Sequence, residues 1–225
     1  MALVAPALLA ADFARLGEAL EIIKAAGASV VHVDVMDGHF VPEITVGQPV
    51  IASLRKATDL VLDVHLLIER PERYVADFVA AGADQLAVHV ESTTQLHKAL
   101  DLIRRGGAKA GVALNPATPT ESLTEVWGEV DFVNVLTADP GLGEERFVAG
   151  SAAKVRAVAQ ARQERRCGFA LQVEGAIGPA NLEELVGAGA DILVMGFAIF
   201  NAEDPQAQLA ALVRRAAGAN LTLRV

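Results

Sequence analysis

Residues 81–90, with the sequence AGADQLAVHV, contain the pattern that decides the fold: a small glycine-centred turn followed by a largely apolar run. The same kind of turn recurs as AGAS at residues 26–29 and AGAD at residues 188–191, and GGAK at residues 106–109 is a looser copy. A glycine in the left-handed conformation ends a helix, and its small neighbours let the chain turn directly into a strand. The repeat therefore predicts several helix-to-strand junctions.

Eight strand-like runs alternate with eight helical patterns along the chain. Several of the runs are almost wholly apolar, which is typical of strands buried on both faces. The strands are predicted at residues 3–9, 30–35, 60–67, 85–90, 109–114, 132–136, 169–173 and 192–195. The helices are predicted at residues 12–26, 49–56, 71–81, 93–105, 121–127, 151–164, 181–188 and 205–217, the second and fifth of them short.

Eight βα units in 225 residues, about 28 residues each, predict an α/β protein with the (β/α)₈ TIM-barrel architecture, in one domain over residues 1–225. A doubly wound open sheet is the alternative architecture. It lacks its best marker here, because no G-x-G-x-x-G motif follows the first strand.

Composition excludes several classes of protein. Nineteen Lys and Arg against 28 Asp and Glu give a net charge of −9, which disfavours binding to nucleic acid. The longest uncharged runs have eleven residues, fewer than the ~18 needed to span a membrane, and the N-terminal run lacks the basic region of a signal peptide. The single Cys167 excludes an intrachain disulfide and fits a reducing compartment. We therefore expect a cytoplasmic protein with no membrane or nucleic-acid partner.

Imidazoles and carboxylates stand where three of the predicted strands end. His32 and Asp34 are two residues apart and so share one face of their strand, His65 ends the next strand, and Glu174 ends the seventh. Active sites of this fold lie at that end of the barrel. Two imidazoles and two carboxylates suit one divalent ion, namely Zn, Fe, Mn or Co.

A cation with two flanking carboxylates indicates proton transfer next to a carbonyl. One carboxylate removes the proton, the other returns it to the opposite face of the enediolate, and the centre inverts. Asp34 and Glu174 are the candidates for this pair. The loop at residues 137–146 is a candidate lid, although its Pro-Gly equally fits an ordinary turn. His89 is interpreted as core or support for the metal site.

The chain resembles the ribulose-phosphate 3-epimerase family almost from end to end. The resemblance is carried by ADFARLG at residues 11–17, HVDVMDGHFVP at residues 32–42, LDVHL at residues 62–66, GVALNPATP at residues 111–119 and DPG at residues 139–141. The second of these motifs is long and highly specific.

The resemblance implies a barrel of the ribulose-phosphate-binding type, inversion at carbon 3 of a ketopentose phosphate, and a homo-oligomer as an expectation. It implies His32, Asp34 and His65 as metal ligands and Asp34 as one of the two acid/base carboxylates, while Glu174 is the candidate for the fourth ligand and the second carboxylate from its place at the end of the seventh strand. The residues that it implies around the substrate are Ala7, Met36, Leu67, Gly141, Gly143, Gly175, Ala176, Gly196 and Phe197.

Several positions depart from the family pattern. Glu174 replaces an aspartate, Ala7 a serine, and Glu43 an asparagine. Glu144, Ala176 and Phe197 fall where the family builds its phosphate cradle. Three functions therefore stay open: a ketose-phosphate epimerase (D-ribulose 5-phosphate and D-xylulose 5-phosphate or a related pair), an epimerase or isomerase for an unphosphorylated or differently charged keto-sugar, and a catalytically impaired ligand-binding homologue.

Overall fold

The structure, a computed structural model, describes residues 1–141 and 146–222, the last three by their backbone alone. Eight strands alternate with helices along this part of the chain. The strands are β1 (Leu3–Pro6), β2 (Val30–Met36), β3 (Val61–Leu67), β4 (Gln85–His89), β5 (Lys109–Leu114), β6 (Phe132–Leu136), β7 (Ala170–Glu174) and β8 (Ile192–Met195). The predicted strands at residues 109–114, 132–136 and 192–195 have the observed bounds, and the others differ at their ends.

The eight strands form one parallel sheet in the order β1-β8-β7-β6-β5-β4-β3-β2. β1 pairs with β8 over four residues, which brings the first strand beside the last. Across the described part of the chain, β1 meets β2 at a single isolated bridge, between Ala7 and His32. The sheet is thus an almost closed barrel, and the predicted (β/α)₈ architecture is confirmed.

Helices connect the strands on the outside of the barrel. They are α1 (Leu16–Ala25), α2 (Gln48–Ala57), α3 (Val75–Ala80), α4 (Leu96–Arg105), α5 (Ser151–Glu164), α6 (Leu182–Gly187), α7 (Phe197–Phe200) and α8 (Pro205–Thr222). The first and third predicted helices begin instead with short 3₁₀ turns, Phe13–Arg15 and Pro71–Arg73.

One predicted element is wrong, and one strand is shorter than predicted. The helix predicted at residues 121–127 is a 3₁₀ turn, Thr120–Leu123, followed by further turns. Leu123, Val126 and Trp127 are buried in the core without a regular helix. The first strand ends at Pro6 instead of residue 9, because Leu8–Ala10 turn back over the barrel mouth. The four-residue α7 was not predicted.

The glycine-centred turns behave as the repeat predicts. Gly27, Gly82, Gly107 and Gly189 all have positive φ, between 83° and 111°. A Cβ at Gly82 would lie 2.6 Å from Cγ of Arg55, so an alanine there would be both strained and crowded.

The core has two parts. Outward-facing strand residues pack against the helices in a large apolar cluster, while Ala5, Ala7, Val30, Ile192 and Val194 form a second, smaller cluster. Several other buried strand residues are polar. Over residues 1–141 and 146–222, no helix is both long and apolar enough to cross a bilayer.

Candidate active site

The four predicted ligands meet at the carboxyl ends of the strands. His32, Asp34, His65 and Glu174 each offer one donor atom, and these atoms all lie within 4.8 Å of one another. Parallel pairing sets Asp34 beside His65 on β2 and β3, which explains how residues 31 positions apart share a site. The two imidazoles are fully buried. This group could hold a metal ion.

Asp63, deeper in the barrel, orients the ring of His32, and Gln172 in turn contacts Asp63. Nδ1 of His32 lies 2.6 Å from Oδ2 of Asp63, and Nε2 of His32 lies 3.1 Å from Oδ1 of Asp34. The Gln172 amide donates to the same Asp63 oxygen over 2.9 Å. A carboxylate on one ring nitrogen fixes the tautomer and leaves the other nitrogen for a cation, as is common around metal-binding histidines.

His65 is oriented by a second chain of contacts. Its Nδ1 lies 3.2 Å from Asp34 and 3.1 Å from Glu174, while its Nε2 lies 2.9 Å from Nε2 of His89. On the far side of His89, Nδ1 lies 2.8 Å from Oε2 of Glu91. His89 is fully buried, so it belongs to the core of the barrel and also contacts His65.

The buried carboxylates of the site favour a bound cation. Burial acts against protonation of both imidazoles, yet the nearby carboxylates outweigh it: Asp34, Glu174 and Asp63 raise the pKa of His32 well above its ordinary value. Glu174 and Asp34 likewise raise the pKa of His65 to about 9. Burial would raise the pKa of Glu174, but His65 and His32 hold it well below its usual range. A divalent ion would supply the positive charge that the protons otherwise provide, so the donor set fits a metal.

Glu174 has a further partner on the neighbouring strand. Nδ2 of Asn134 on β6 donates to Oε2 of Glu174 over 2.5 Å. Asn134 is fully buried. Within the described residues its Oδ1 has no hydrogen-bond partner, and the same holds for Oδ1 of Asp63, Nε2 of Gln85 and Oε1 of Gln172. A layer of buried polar groups therefore lies beneath the four predicted ligands.

A small cavity beside the two carboxylates contains four of the residues predicted to bind substrate. Asp34 and Glu174 line it, and so do Ala7, Gly175, Gly196 and Phe197. Gly175 has a φ of +100°, and a Cβ there would lie 2.7 Å from the Ala138 nitrogen. Only a residue without a side chain fits this close approach.

A cleft of about 610 Å³ adjoins this cavity and shares Val194, Gly196 and Phe197 with it. The cleft lies between the ends of β7 and β8, and Ala176 forms part of its wall. Ala176 has a φ of +51°, so an alanine adopts the left-handed conformation that glycine favours. No lysine or arginine is among the described residues that line the cleft. Phe197 is 43 % exposed.

The structure places three other predicted substrate residues differently. Met36 and Leu67 are buried in an apolar cluster with Val41, and neither lines the cavity beside the carboxylates. Gly141 lies against the loop after β2, and a Cβ there would be 2.8 Å from Cβ of Val41. Gly143 and Glu144, in the candidate lid, lie outside the described residues.

Three buried residues around the site were not predicted, namely Asp63, Gln172 and Asn134. A signal for the first two was present, because each lies two residues before a predicted ligand and therefore faces the same side of its strand. His97 packs on the surface against Glu129, away from the site, and is 60 % exposed.

Comparisons with known proteins agree with this geometry. The sequence model of the ribulose-phosphate 3 epimerase family matches residues 3–200. The chain is 41 % identical over 202 residues to ribulose-phosphate 3-epimerase of Bacillus subtilis, covering 89 % of this chain and 93 % of the relative. It is 44 % identical over 204 residues to the chloroplastic ribulose-5-phosphate-3-epimerase of Arabidopsis thaliana, covering 90 % and 73 %. The Mycobacterium tuberculosis ribulose-phosphate 3-epimerase is 40 % identical over 221 residues, covering 98 % and 96 %.

Solved structures agree with the fold. KGPDC from Streptococcus mutans, in a crystal structure of a ligand complex, superposes with a TM-score of 0.73 at 17 % identity, covering 96 % of this chain and 98 % of that chain. A 3-hexulose-6-phosphate synthase gives a TM-score of 0.63 at 21 % identity, covering 96 % and 97 %. At sequence identities this low, the superpositions support the barrel fold and say nothing about function.

Proposed function

We propose, from the premise that the chain belongs to the ribulose-phosphate 3-epimerase family, that it interconverts D-ribulose 5-phosphate and D-xylulose 5-phosphate with the help of one divalent metal ion. The single observation that carries this proposal is the meeting of His32, Asp34, His65 and Glu174 at the barrel mouth. Zn, Fe, Mn and Co all suit such a mixed set of nitrogen and oxygen donors.

Asp34 and Glu174 perform the proton transfer in this proposal. They come from β2 and β7 and line one small cavity of about 20 Å³. This volume holds about one water molecule, so in this proposal the flat sugar backbone binds over the opening of the cavity, with one carboxylate serving each face. One carboxylate takes the proton from carbon 3, the other returns a proton to the opposite face, and the configuration inverts. A cation held by the four residues would act as a Lewis acid on the ketone oxygen.

The contacts beneath the site serve the same chemistry. Asp63 holds the His32 ring and His89 holds the His65 ring, so neither imidazole is free to turn into the cavity. Groups held in place before the substrate arrives avoid reorganisation during the reaction.

The cleft beside Ala176 and Phe197 is the proposed phosphate site. In barrels of this kind, backbone N–H groups after the seventh and eighth strands hold the phosphate. A second candidate function is epimerisation of a differently charged keto-sugar. It is favoured by the half-exposed ring of Phe197 and by the described lining of the cleft, which includes no cationic side chain. Arg70, an arginine that could otherwise balance the charge of a phosphate, lines a different pocket.

Proton exchange in deuterium oxide tests the reaction. Asp34→Asn should lower deuterium incorporation at carbon 3 of D-ribulose 5-phosphate by about 10²–10⁴-fold, the usual contribution of a general base. His97→Ala is the matched control and should leave the rate unchanged, because His97 lies on the surface. A normal rate for Asp34→Asn would refute the mechanism. Running unphosphorylated ketoses in parallel decides between the two candidate functions through kcat/KM.

Three further proposals concern the domain organisation, the assembly and the location of the protein. We propose that residues 1–225 act as a single domain and that the protein assembles as a homo-oligomer, as the family resemblance implies. We also propose a cytoplasmic location, on the ground that the chain has one cysteine and no cysteine to pair it with.

A further inference from the structure

Asn134 is an unusual residue for its position. It lies in the middle of β6, between Val133 and Val135, and is fully buried. Its amide nitrogen donates to Glu174, while its amide oxygen has no hydrogen-bond partner among the described residues. Burying an amide with half of its hydrogen-bonding capacity unused is unfavourable. The burial of Asn134 is therefore explained if its amide acts on Glu174, the side chain to which it donates.

Glu174 is the residue that needs such a partner. Its Oε2 lies 3.1 Å from Nδ1 of His65 and 3.4 Å from Nε2 of His32, so the carboxylate sits between two imidazoles. A glutamate has one more rotatable bond than the aspartate of the family pattern, and its carboxylate reaches about 1.5 Å further from the backbone. The longer side chain must be held if its oxygens are to stay beside both rings.

The strand register brings the amide to the carboxylate. Asn134 pairs with Gln172, and Leu136 pairs with Glu174. Asn134 is thus one inward layer deeper in the barrel than Glu174, on the adjacent strand. From there it contacts Oε2 without occupying the cavity that Asp34 and Glu174 line.

We infer that Asn134 is a positioning residue that holds the carboxylate of Glu174 at the metal centre, and that Asn134 and Glu174 act as one unit in place of a shorter aspartate. The inference rests on the proposed function to the extent that Glu174 is a metal ligand. Asn134 itself lies behind the carboxylate and is not assigned any contact with metal or substrate.

A double-mutant cycle on metal binding tests this inference. The four proteins are the wild type, Asn134→Leu, Glu174→Asp and the double variant. The readouts are the affinity for Co²⁺ and the visible absorption spectrum of the bound Co²⁺, which reports its coordination. Asn134→Leu should weaken Co²⁺ binding by about 10–100-fold and alter the spectrum, as loss of a group that orients a ligand does. In the Glu174→Asp background the same substitution should change the affinity by less than about 2-fold, because the shorter carboxylate no longer contacts the amide.

Gln85→Met is the matched control. Gln85 is another buried inward-facing amide, on β4, and its Nε2 has no hydrogen-bond partner within the described residues. An apolar side chain there tests the general effect of removing an amide from this polar layer. We expect it to leave Co²⁺ affinity within about 2-fold of the wild type.

The outcomes separate this inference from the proposed function. Equal losses of Co²⁺ affinity from Asn134→Leu in both backgrounds, or no loss in either, would overturn it, and so would a wild type that binds no Co²⁺. If the leucine variant fails to fold in a thermal melt, Asn134→Ala takes its place in the cycle. Coupling in Co²⁺ affinity without turnover of D-ribulose 5-phosphate would support the positioning role and refute the proposed substrate.

Discussion

The backbone of Ala176, beside the proposed phosphate site, is strained, and the free energy of that strain can be measured by substitution. Ala176 has a φ of +51°, a conformation that costs a residue with a Cβ about 1–2 kcal/mol. Replacing it with glycine removes that cost but adds about 0.4–1 kcal/mol of conformational entropy to the unfolded chain. Ala176→Gly should therefore raise the free energy of unfolding by about 0.5–1 kcal/mol. For a chain of this size, that corresponds to an increase of about 1–4 °C in the melting temperature.

The assay is differential scanning calorimetry of Ala176→Gly beside Ala81→Gly. Ala81 follows α3 and has a φ of −71°, which an L-residue adopts without strain, so the same substitution there should destabilise the protein by about 0.5–1 kcal/mol. Opposite signs for the two variants are the expected result. If Ala176→Gly melts at or below the wild-type temperature, the argument from strain is refuted.

Three further predictions concern the metal, acid stability and the substrate. Addition of Zn²⁺ or Co²⁺ at 100 times its dissociation constant should stabilise chelator-treated wild type and His97→Ala by about 2.7 kcal/mol, and a thermal melt of His65→Ala should show no such gain. Burial alone would raise the pKa of Glu91, but contact with His89 and other donors lowers it from 4.5 to about 2, so its contribution to stability is complete above pH 4.5 and is lost as the pH falls towards 2. In urea titrations, Glu91→Gln should therefore be less stable than wild type at pH 6, by up to about 3 kcal/mol, and the difference should shrink below pH 4.5; a difference independent of pH would contradict this. Phe197→Ser should raise kcat/KM for D-ribulose 5-phosphate by about 10-fold or more by providing a hydroxyl donor for the phosphate, whereas Phe13→Ser, at another exposed phenylalanine, should not change it.

Much of the barrel could be predicted from local signals in the chain. Gly27, Gly82 and Gly189 mark helix-to-strand junctions because glycine adopts positive φ without a steric cost, and all three do so here. The apolar runs after them become buried parallel strands. The segments predicted wrongly, residues 8–10 and 121–127, are those in which tertiary packing decides between a strand, a helix and a turn.

The candidate site was predictable where it depends on the period of two along a strand. His32 and Asp34 share a face, and parallel register sets Asp34 beside His65. The contact between Asn134 and Glu174 was not predictable in this way, because it depends on the offset between two strands and on the length of one side chain. Asp63 could have been found from its spacing to His65, but its contact with His32 required the pairing of β2 and β3 to be known.

The single bridge between Ala7 and His32 makes β1 the most weakly attached edge of the barrel within the described residues. Hydrogen exchange should begin there, because amides along an edge with few ladder hydrogen bonds open with a small free energy. His32, on β2, is also one of the residues that could bind the ion. A bound cation would therefore link β2 to β3 and β7, and would oppose opening of the barrel between β1 and β2. Metal binding should therefore lengthen the time for which β1 stays paired in the barrel. Removal of the metal with a chelator should expose β1 to proteases before any other strand.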